Sequence, residues 1–264
     1  MKKLLLKIIL GLCVAAVVTF AVLIVRELYI DLQSRSFYDD MAAVFEMSPG
    51  GQGSGDADNS GQNNNNPETG AEDNGDDDVF FIDFDALKEL LPKAVGWIRL
   101  GGTVIDYPIM QYTDNDYFMT RLPDGTKHRN GSIFLDYRNK PDFSDKSILI
   151  YGHHTRAGDM FGTLSHYRNQ DFYDANPIID IYTPDGNYEL IIFAGHLAHS
   201  FNDHPPLDFA TDDEFFRYIQ QIKNKSVFSS DFEVTASDQI ISLVTCAYDF
   251  NNARLIIVGV IKET

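Results

Sequence analysis

The chain has 264 residues, enough for one globular domain with additional segments. Its formal net charge of -18 argues against a nucleic-acid-binding protein, because binding to phosphate groups requires clustered lysine and arginine. The hydrophobic share of 44% is that of a protein with a packed core. Much of the negative charge lies in residues 48–78, which contain eight acidic residues and no lysine or arginine.

An uncharged apolar run extends from Ile8 to Val25, with three lysines before it and Arg26 after it. A run of this length can span a membrane as a tilted helix. The positive charges before it predict a cytoplasmic N-terminus and an extracellular C-terminal part. A cleaved signal peptide is the alternative, but its apolar core is usually shorter, and no small-x-small cleavage site follows the run. We therefore predict that residues 1–26 form a cytoplasmic tip and a single-pass anchor in the cell membrane.

Three further segments follow the anchor. Residues 27–47 combine polar side chains with spaced apolar ones, which predicts a juxtamembrane helix that continues from the membrane. Residues 48–78 consist mainly of Gly, Asn, Asp and Gln, cannot bury a core, and are predicted to be a disordered acidic linker. Residues 79–264 are predicted to form the folded domain.

Short β-type runs separated by turn residues fill the predicted domain and favour an all-β barrel or sandwich. Between two of these runs, Pro184-Asp185-Gly186-Asn187 has the composition of a hairpin turn. The runs are Gly96–Ile98, Thr103–Met110, Ser132–Leu135, Ser147–Tyr151, Ile178–Tyr182, Tyr188–Leu197, Phe232–Val234, Ile240–Thr245 and Arg254–Val260.

Two helices are predicted among these strands. Asp85–Leu91 is a short amphipathic segment that Pro92 ends. Thr211-Asp212-Asp213-Glu214 has the form of a capping box, and the apolar residues after it have helical spacing. This pattern predicts a helix of about 12 residues before the run that leads to Cys246.

The last two runs are joined by the polar loop Ala247–Ala253 and are predicted to be adjacent antiparallel strands. This pairing places Cys246 and Arg254 at the same end of the sheet, roughly 5 Å apart. A thiol beside a fixed cation is a candidate nucleophile, because the cation favours the thiolate and can hold a developing oxyanion. The alternative is a buried structural cysteine and a surface arginine. Cys13 lies in the membrane run and cannot pair with Cys246, and an unpaired thiol in an exported domain favours the reactive interpretation.

A cysteine nucleophile in acyl transfer needs a proton shuttle, and seven histidines are available. His153 is the best placed, because it follows the apolar run Ile148–Tyr151 and Gly152, at the point where a strand gives way to a loop. Its neighbour His154 would point elsewhere if the chain stays extended. Three other histidines have a spacing that allows a zinc site, but no cysteine lies near them, and we predict neither a metal nor a cofactor. These three are His196, His199 and His204.

Several motifs between residues 95 and 260 resemble the sortase family, and class B sortases most closely. The specific part is the order Gly-His, Thr-Cys and Arg. The resemblance implies that His153, Cys246 and Arg254 are the catalytic residues. It also implies a mainly β fold, an eight-stranded sortase-type β-barrel with N-terminal helices and one helix before the Cys-bearing strand, in addition to the transmembrane helix. The matching motifs are Val95-Gly96-Trp97-Ile98, Ile105-Asp106-Tyr107-Pro108-Ile109, Asp114-Asn115-Asp116-Tyr117, Gly131-Ser132-Ile133-Phe134-Leu135-Asp136, Tyr151-Gly152-His153-His154, Met160-Phe161-Gly162, Leu243-Val244-Thr245-Cys246 and Ala253-Arg254.

The function that the resemblance implies is that of a cysteine transpeptidase of Gram-positive bacteria. Such an enzyme would cleave a Pro-x-Thr-type sorting signal near the C-terminus of secreted proteins and hold the product as a thioester on Cys246. It would then transfer the product to a peptidoglycan precursor or cross-bridge amine. Val244 departs from the many sortases that have a small polar residue two positions before the cysteine, which leaves the details of the substrate open. Asp249 either orients the site or is an ordinary loop acid.

Two other functions stay open. A pilin-polymerising sortase would use a lysine of another pilin as its nucleophile, and such enzymes often carry a lid with an aromatic plug. Residues 48–78 contain no aromatic residue that could serve as this plug. A non-catalytic, membrane-anchored adhesion or scaffold module would not need cysteine, histidine and arginine in this order.

The linker contains the motif Asn66-Pro67-Glu68-Thr69-Gly70, which has the form of a sortase recognition signal. Chance is one explanation, because these residues are ordinary in a low-complexity segment and no apolar tail follows them directly. The other explanation is that Cys246 engages the motif as a pseudo-substrate or as a self-cleavage site.

Overall fold

The structure is a computed structural model that describes residues 2–47, 81–155, 157–199 and 203–264. The predicted linker 48–78, with its Asn66–Gly70 motif, lies outside the described residues. Its disorder and the role of the motif therefore stay predictions.

Helices precede and interrupt a series of strands. Within the described residues, the α-helices are α1 Lys2–Phe45, α2 Phe84–Leu90, α3 Gln170–Ala175 and α4 Asp212–Asn224. The strands are β1 Glu46–Met47, β2 Phe81–Ile82, β3 Ala94–Arg99, β4 Asp106–Met110, β5 Ile133–Leu135, β6 Ser147–Tyr151, β7 Ile178–Thr183, β8 Gly186–His199, β9 Gln239–Cys246 and β10 Ala253–Glu263. Two short 3-10 helices cover Phe118–Thr120 and Gly162–Arg168.

Strands β3–β10 close into an eight-stranded barrel in the order β10-β8-β7-β3-β4-β5-β6-β9. The pairs β4–β5 and β6–β9 are parallel, and the other pairs are antiparallel. The interior is filled by apolar side chains such as Ile109, Ile150, Leu243 and Ile257, all of them completely buried. The predicted barrel is confirmed, and it is a closed barrel rather than a sandwich.

The predicted hairpin turn and the predicted helix before the Cys-bearing strand are both present. Residues 184–185 join β7 to β8, with Thr183 paired to Gly186. The Thr211 hydroxyl caps α4 by accepting a hydrogen bond from the Glu214 backbone N–H at 3.2 Å. On the outside of the barrel, Phe215 of α4 lies in an apolar cluster with residues of β9 and β10.

One predicted strand, Phe232–Val234, is wrong. The backbone N–H of Phe232 donates to the Ser230 hydroxyl at 3.3 Å, and its carbonyl accepts from the Lys223 ammonium at 2.9 Å. Both backbone groups of Phe232 are therefore hydrogen-bonded to side chains and not to a neighbouring strand. The side chains of Phe232 and Val234 pack against the apolar cluster under α4. These apolar residues therefore cover the outside of the barrel instead of extending its sheet.

Helix α1 is continuous from the apolar run into the predicted juxtamembrane helix. By length and composition, its stretch Ile9–Ala43 can cross a membrane. The described side chains up to Tyr29 are exposed, whereas one face of the following turns packs on the barrel. There the Tyr38 hydroxyl donates to the Gly131 carbonyl at 2.9 Å, and Arg35 forms an ion pair with Asp159 at 2.9 Å. The C-terminal part of α1 is thus docked on loops that extend from the barrel strands.

Candidate active site

Cys246 is the last residue of β9, and Arg254 lies directly opposite it near the start of β10. The loop between them is closed by a hydrogen bond from the Ala247 backbone N–H to the Ala253 carbonyl, at 3.0 Å. Opposed residues of an antiparallel pair project their side chains from the same face of the sheet. The predicted pairing of these two positions on adjacent antiparallel strands is therefore confirmed.

The histidine pair reaches Cys246 through the parallel pairing of β6 with β9. In this register Tyr151 lies beside Val244. The pairing continues beyond the strand end, because the Gly152 N–H donates to the Val244 carbonyl at 3.1 Å and the Thr245 hydroxyl donates to the Gly152 carbonyl at 2.8 Å. The residues that follow Gly152 are consequently brought to the end of β9.

Gly152 is needed for this close approach. A Cβ atom at this position would lie 2.7 Å from the ring of the buried Phe161, which is too short for a van der Waals contact. Phe161 itself donates its backbone N–H to the His153 carbonyl at 2.9 Å. Any larger residue at position 152 would therefore force Ile133, Phe161 or the segment that carries the histidines to shift.

The two histidine rings point to different neighbours. His153 Nε2 is 2.7 Å from the Met119 carbonyl oxygen, whereas His154 Nδ1 is 3.1 Å from the carbonyl oxygen of Cys246. Because a carbonyl can only accept, the ring nitrogen at each of these two contacts is the donor. Within the described part of the chain, neither ring forms a hydrogen bond with the Cys246 thiol.

A groove of about 510 Å³ lies on one side of the site. Its walls include Tyr151, Val244 and Arg254, which stand at the ends of three barrel strands, together with Asn115 and Met119. Met119, whose carbonyl the His153 ring contacts, is a groove residue, whereas His153 itself lines another pocket together with His154, Arg129 and Asn130. The groove thus exposes the guanidinium of Arg254 at the end of β9 and the start of β10.

A second cavity, of about 460 Å³, is lined by Cys246 itself. Its other walls include His154, Arg168 and Asp249. Arg168 holds Asp249 through two hydrogen bonds, Nη1 to Oδ1 at 2.9 Å and Nη2 to Oδ2 at 2.6 Å. This ion pair ties the β9–β10 loop to the 3-10 helix Gly162–Arg168, and the Tyr248 hydroxyl adds a bond of 3.0 Å to the His154 carbonyl.

Arg168 is a charged residue of the site that was not recognised from the sequence. Hydrogen bonds from the Arg168 guanidinium lower the pKa of Asp249, so that its carboxylate stays ionised. Arg168 was not recognised from the sequence, because it is 81 residues from its partner and no local motif contains it. Asp249, for which two roles were left open, is thus a partner of this arginine in the wall of the second cavity.

The histidines considered for zinc are arranged differently. His196 is buried, and burial, together with the nearby Lys225, lowers its pKa to about 4. His199 and His204 line the groove. Among the described residues, no group of three or more His, Cys, Asp or Glu side chains is placed to hold a metal ion.

The chain is similar to known proteins in both sequence and fold. A family model described as the sortase domain matches residues 98–262. Sortase B of Listeria monocytogenes is 38% identical over 175 residues, which is 66% of this chain and 71% of that protein. A Staphylococcus aureus sortase B–substrate complex aligns with a TM-score of 0.65 and 31% identity, covering 69% of this chain and 85% of that one. A sortase B structure in complex with triglycine aligns with a TM-score of 0.65 and 32% identity, covering 69% of this chain and 86% of that one.

Proposed function

Because this chain belongs to the sortase family, we propose that it is a membrane-anchored cysteine transpeptidase of class B that attaches secreted proteins to peptidoglycan. It would recognise a Pro-x-Thr-type sorting signal. The observation that carries this proposal is the placement of Cys246 opposite Arg254, with the end of β6 beside them. The sortase B–substrate complex among the relatives supports a peptide as the ligand of the groove.

The first half of the reaction forms a thioester. The Cys246 sulfur attacks the carbonyl carbon of the threonine, and the thiol proton passes to a histidine. The C–N bond after the threonine then breaks, and the histidine gives the proton to the departing amine. In the second half, the amine of a peptidoglycan precursor or cross-bridge attacks the thioester, gives up a proton to the same histidine, and releases the sulfur.

His153 fits the role of this histidine better than His154. Its Nε2 contacts the carbonyl of Met119, which is a groove residue, and its Nδ1 would exchange the proton with the scissile bond. The His154 ring is instead held by the Cys246 carbonyl at the second cavity. We assign His154 to the support of the loop.

Arg254 would stabilise the negative charge that develops on the threonine carbonyl oxygen. One N–H, at Nη1, donates to the Ala253 carbonyl at 3.0 Å. Within the described residues no carboxylate forms an ion pair with Arg254, so that its remaining N–H groups are available to an oxyanion. Strand pairing holds its backbone directly opposite Cys246.

The second cavity would admit the acceptor amine. Cys246 lines this cavity, whereas Arg254 and Val244 line the groove, so that an acceptor in the cavity would approach the thioester while the acyl group occupies the groove. A relative that binds triglycine supports a small peptide amine as the acceptor. The predicted anchor would keep the enzyme at the membrane, where secreted proteins and lipid-linked wall precursors meet.

The test uses the full-length protein in detergent micelles with a panel of Pro-x-Thr peptides, each with a glycine-type or a lysine-type amine. We expect cleavage after the threonine and transfer to the glycine-type amine, both of them lost in Cys246→Ala. Cleavage that persists in Cys246→Ala would contradict the proposed nucleophile. Transfer only to the lysine side chain would favour the pilin-polymerising alternative, and failure of wild type to cleave any peptide would count against an enzyme of this specificity.

A further inference from the structure

A buried carboxylate lies behind the groove and takes no direct part in the proposed reaction. The side chain of Asp136, just after β5, is completely shielded from solvent. Its Oδ1 accepts from the backbone N–H of Arg138 at 3.0 Å and from Arg138 Nε at 2.8 Å. Its Oδ2 accepts from Arg138 Nη2 at 2.8 Å, from Asn115 Nδ2 at 3.0 Å and from the Tyr151 hydroxyl at 3.1 Å.

This carboxylate stays ionised although it is buried. Burial alone raises the pKa of a carboxyl group, but the hydrogen bonds from the Arg138 side chain and main chain outweigh it and lower the pKa of Asp136. Nearly half of the Arg138 side chain remains in contact with solvent, so that the arginine links the buried charge to the surface. An ionised carboxylate can only accept hydrogen bonds, which decides how its neighbours are oriented.

Asn115 is oriented by two partners of opposite kind. Its Nδ2 donates to Asp136, and its Oδ1 accepts from the backbone N–H of Tyr137 at 3.0 Å. The side-chain amide therefore has one allowed orientation. Because Asn115 also lines the groove, its second N–H and its second lone pair are available to a ligand there.

Tyr151 is held in the same way. Its hydroxyl donates to Asp136, and its ring stacks on Phe134 with the centroids 5.3 Å apart. Burial and the charge of Asp136 raise the pKa of Tyr151, so that the hydroxyl remains a neutral donor. Both rings line the groove, to which Tyr151 offers an apolar surface while its hydroxyl is already bonded.

We propose that Asp136 is a positioning residue for recognition of the sorting signal, because it fixes the Asn115 amide and the Tyr151 ring in the wall of the groove. Oriented in this way, Asn115 donates to and accepts from a group that offers both a carbonyl and an N–H, which is an amide of the bound peptide. The ring of Tyr151 packs against an apolar part of the same peptide. This inference rests on the function proposed above, since it concerns how that groove binds its peptide.

The chain offers a matched control, a second buried carboxylate that is paired with a cation. Asp238 is buried, forms an ion pair with Lys262, and accepts from the Thr235 backbone N–H at 2.7 Å. This pair stands at the start of β9 and near the end of β10, at the opposite end of the barrel from Cys246. Loss of either carboxylate removes a buried ion pair, but only Asp136 contacts groove residues.

The experiment compares Asp136→Asn with Asp238→Asn in full-length protein, using Cys246-dependent peptide cleavage. We expect Asp136→Asn to raise KM for the peptide about tenfold while kcat changes less than about threefold, because it weakens positioning and leaves the reacting groups in place. Asp238→Asn should lower Tm and leave KM unchanged. Iodoacetamide labelling of Cys246 should be unchanged in both variants.

A double-mutant cycle separates positioning from general destabilisation. If Asp136 acts through Asn115 and Tyr151, the double variant Asp136→Asn/Asn115→Leu should lose less than the sum of the two single losses, because the shared Asn115 contribution is lost only once. Additive losses, or a KM for Asp136→Asn within about twofold of wild type, would overturn the proposal. Arg138→Met, which changes a partly exposed side chain, replaces Asp136→Asn if that variant does not fold, and we expect from it a smaller rise of KM in the same direction.

The proposed function and this inference fail in different ways. If the wild type does not cleave the peptides, binding of the same peptides to Cys246→Ala is measured by calorimetry, with and without Asp136→Asn. Tighter binding with Asp136 than without it supports the positioning role even then. Equal binding in both, or no binding at all, contradicts it.

Discussion

The two sides of Cys246 are built from different kinds of structure. The groove side is formed by residues of five barrel strands together with loop residues, and it is supported from behind by the buried carboxylate of Asp136. The other side is formed by a loop and a 3-10 helix, and its connecting ion pair, Arg168–Asp249, is partly exposed on both partners. Tyr248, in the same loop, is 72% exposed.

This difference corresponds to the two steps of a transpeptidase. Recognition of a sorting signal requires groups that are fixed before the peptide arrives, because their ordering would otherwise reduce the binding free energy. The acceptor has to enter after the first product leaves, and a loop can adjust to it. We therefore expect substitutions on the groove side to affect thioester formation and those on the loop side to affect transfer.

The largest expected effect distinguishes the two neighbouring histidines. His153→Ala should reduce peptide cleavage by roughly 10³-fold, because the groove side would lose its proton shuttle. His154→Ala should reduce it by less than about tenfold, because that ring only supports the loop. Steady-state cleavage of a fluorogenic peptide measures both, and the reverse order of the two effects would transfer the catalytic role to the loop side.

Arg254→Lys should reduce kcat/KM by about 10²-fold although the positive charge is retained. The guanidinium directs several N–H groups from a planar fork, whereas an ammonium is a point charge on a flexible chain. The same peptide assay measures this loss, and circular dichroism provides the control for folding. Activity within about threefold of wild type would show that only the charge at this position matters.

We expect low pH to destabilise the barrel through the buried side chain of His196. His196 lies on β8, beside the wall of the groove, and its pKa is lowered to about 4 by burial. Above about pH 6.5 this ring is neutral in the folded and the unfolded chain and makes no pH-dependent contribution. Between about pH 6.5 and pH 4 the unfolded chain binds a proton that the folded chain does not. The free energy of unfolding therefore decreases as the pH is lowered through this range, by on the order of 3 kcal/mol.

Urea unfolding at pH 7 and at pH 4.5 measures this loss, and His196→Leu is the variant that should remove most of it. The loop-side ion pair should contribute little to the change, since the lowered pKa of Asp249 keeps this carboxylate ionised into the acid range. An equal loss of stability in wild type and His196→Leu would show that other groups control the acid response.

The smallest effect is expected on the loop side. Arg168→Ala should raise KM for the acceptor amine by about threefold and leave the rate of thioester formation unchanged, because only the wall of the second cavity is loosened. Asp249→Asn should behave in the same way. Measuring transfer at several amine concentrations separates the two steps, and a loss confined to peptide cleavage would contradict the assignment of this cavity to the acceptor.

Local patterns in the sequence predicted the half of the site that one hairpin contains. Cys246 and Arg254 are joined by a short loop, so that the strand pattern alone determines that they face each other. The barrel strands and helix α4 followed from turn residues and a capping box, both of which act within a few positions.

The remainder depends on contacts between distant parts of the chain. Parallel pairing of β6 with β9 aligns residues that are more than 90 positions apart, and the Arg168–Asp249 ion pair spans 81. The hydrogen bonds of Asp136 to Asn115 and Tyr151 reach in both directions along the chain. No periodicity or spacing encodes such contacts. The prediction of a strand at Phe232–Val234 was wrong for a related reason. Apolar residues that pack against a helix and the outside of a barrel have the same sequence pattern as a strand.

The role of Cys246 as the nucleophile can be tested by intact-protein mass spectrometry. Full-length enzyme is mixed with a Pro-x-Thr peptide in the absence of an amine and then quenched in acid. We expect an added mass equal to the peptide up to its threonine, located at Cys246 by digestion, and its loss within the assay after a glycine-type amine is supplied. No adduct on an enzyme that still cleaves the peptide, or an adduct at another residue, would contradict the thioester mechanism.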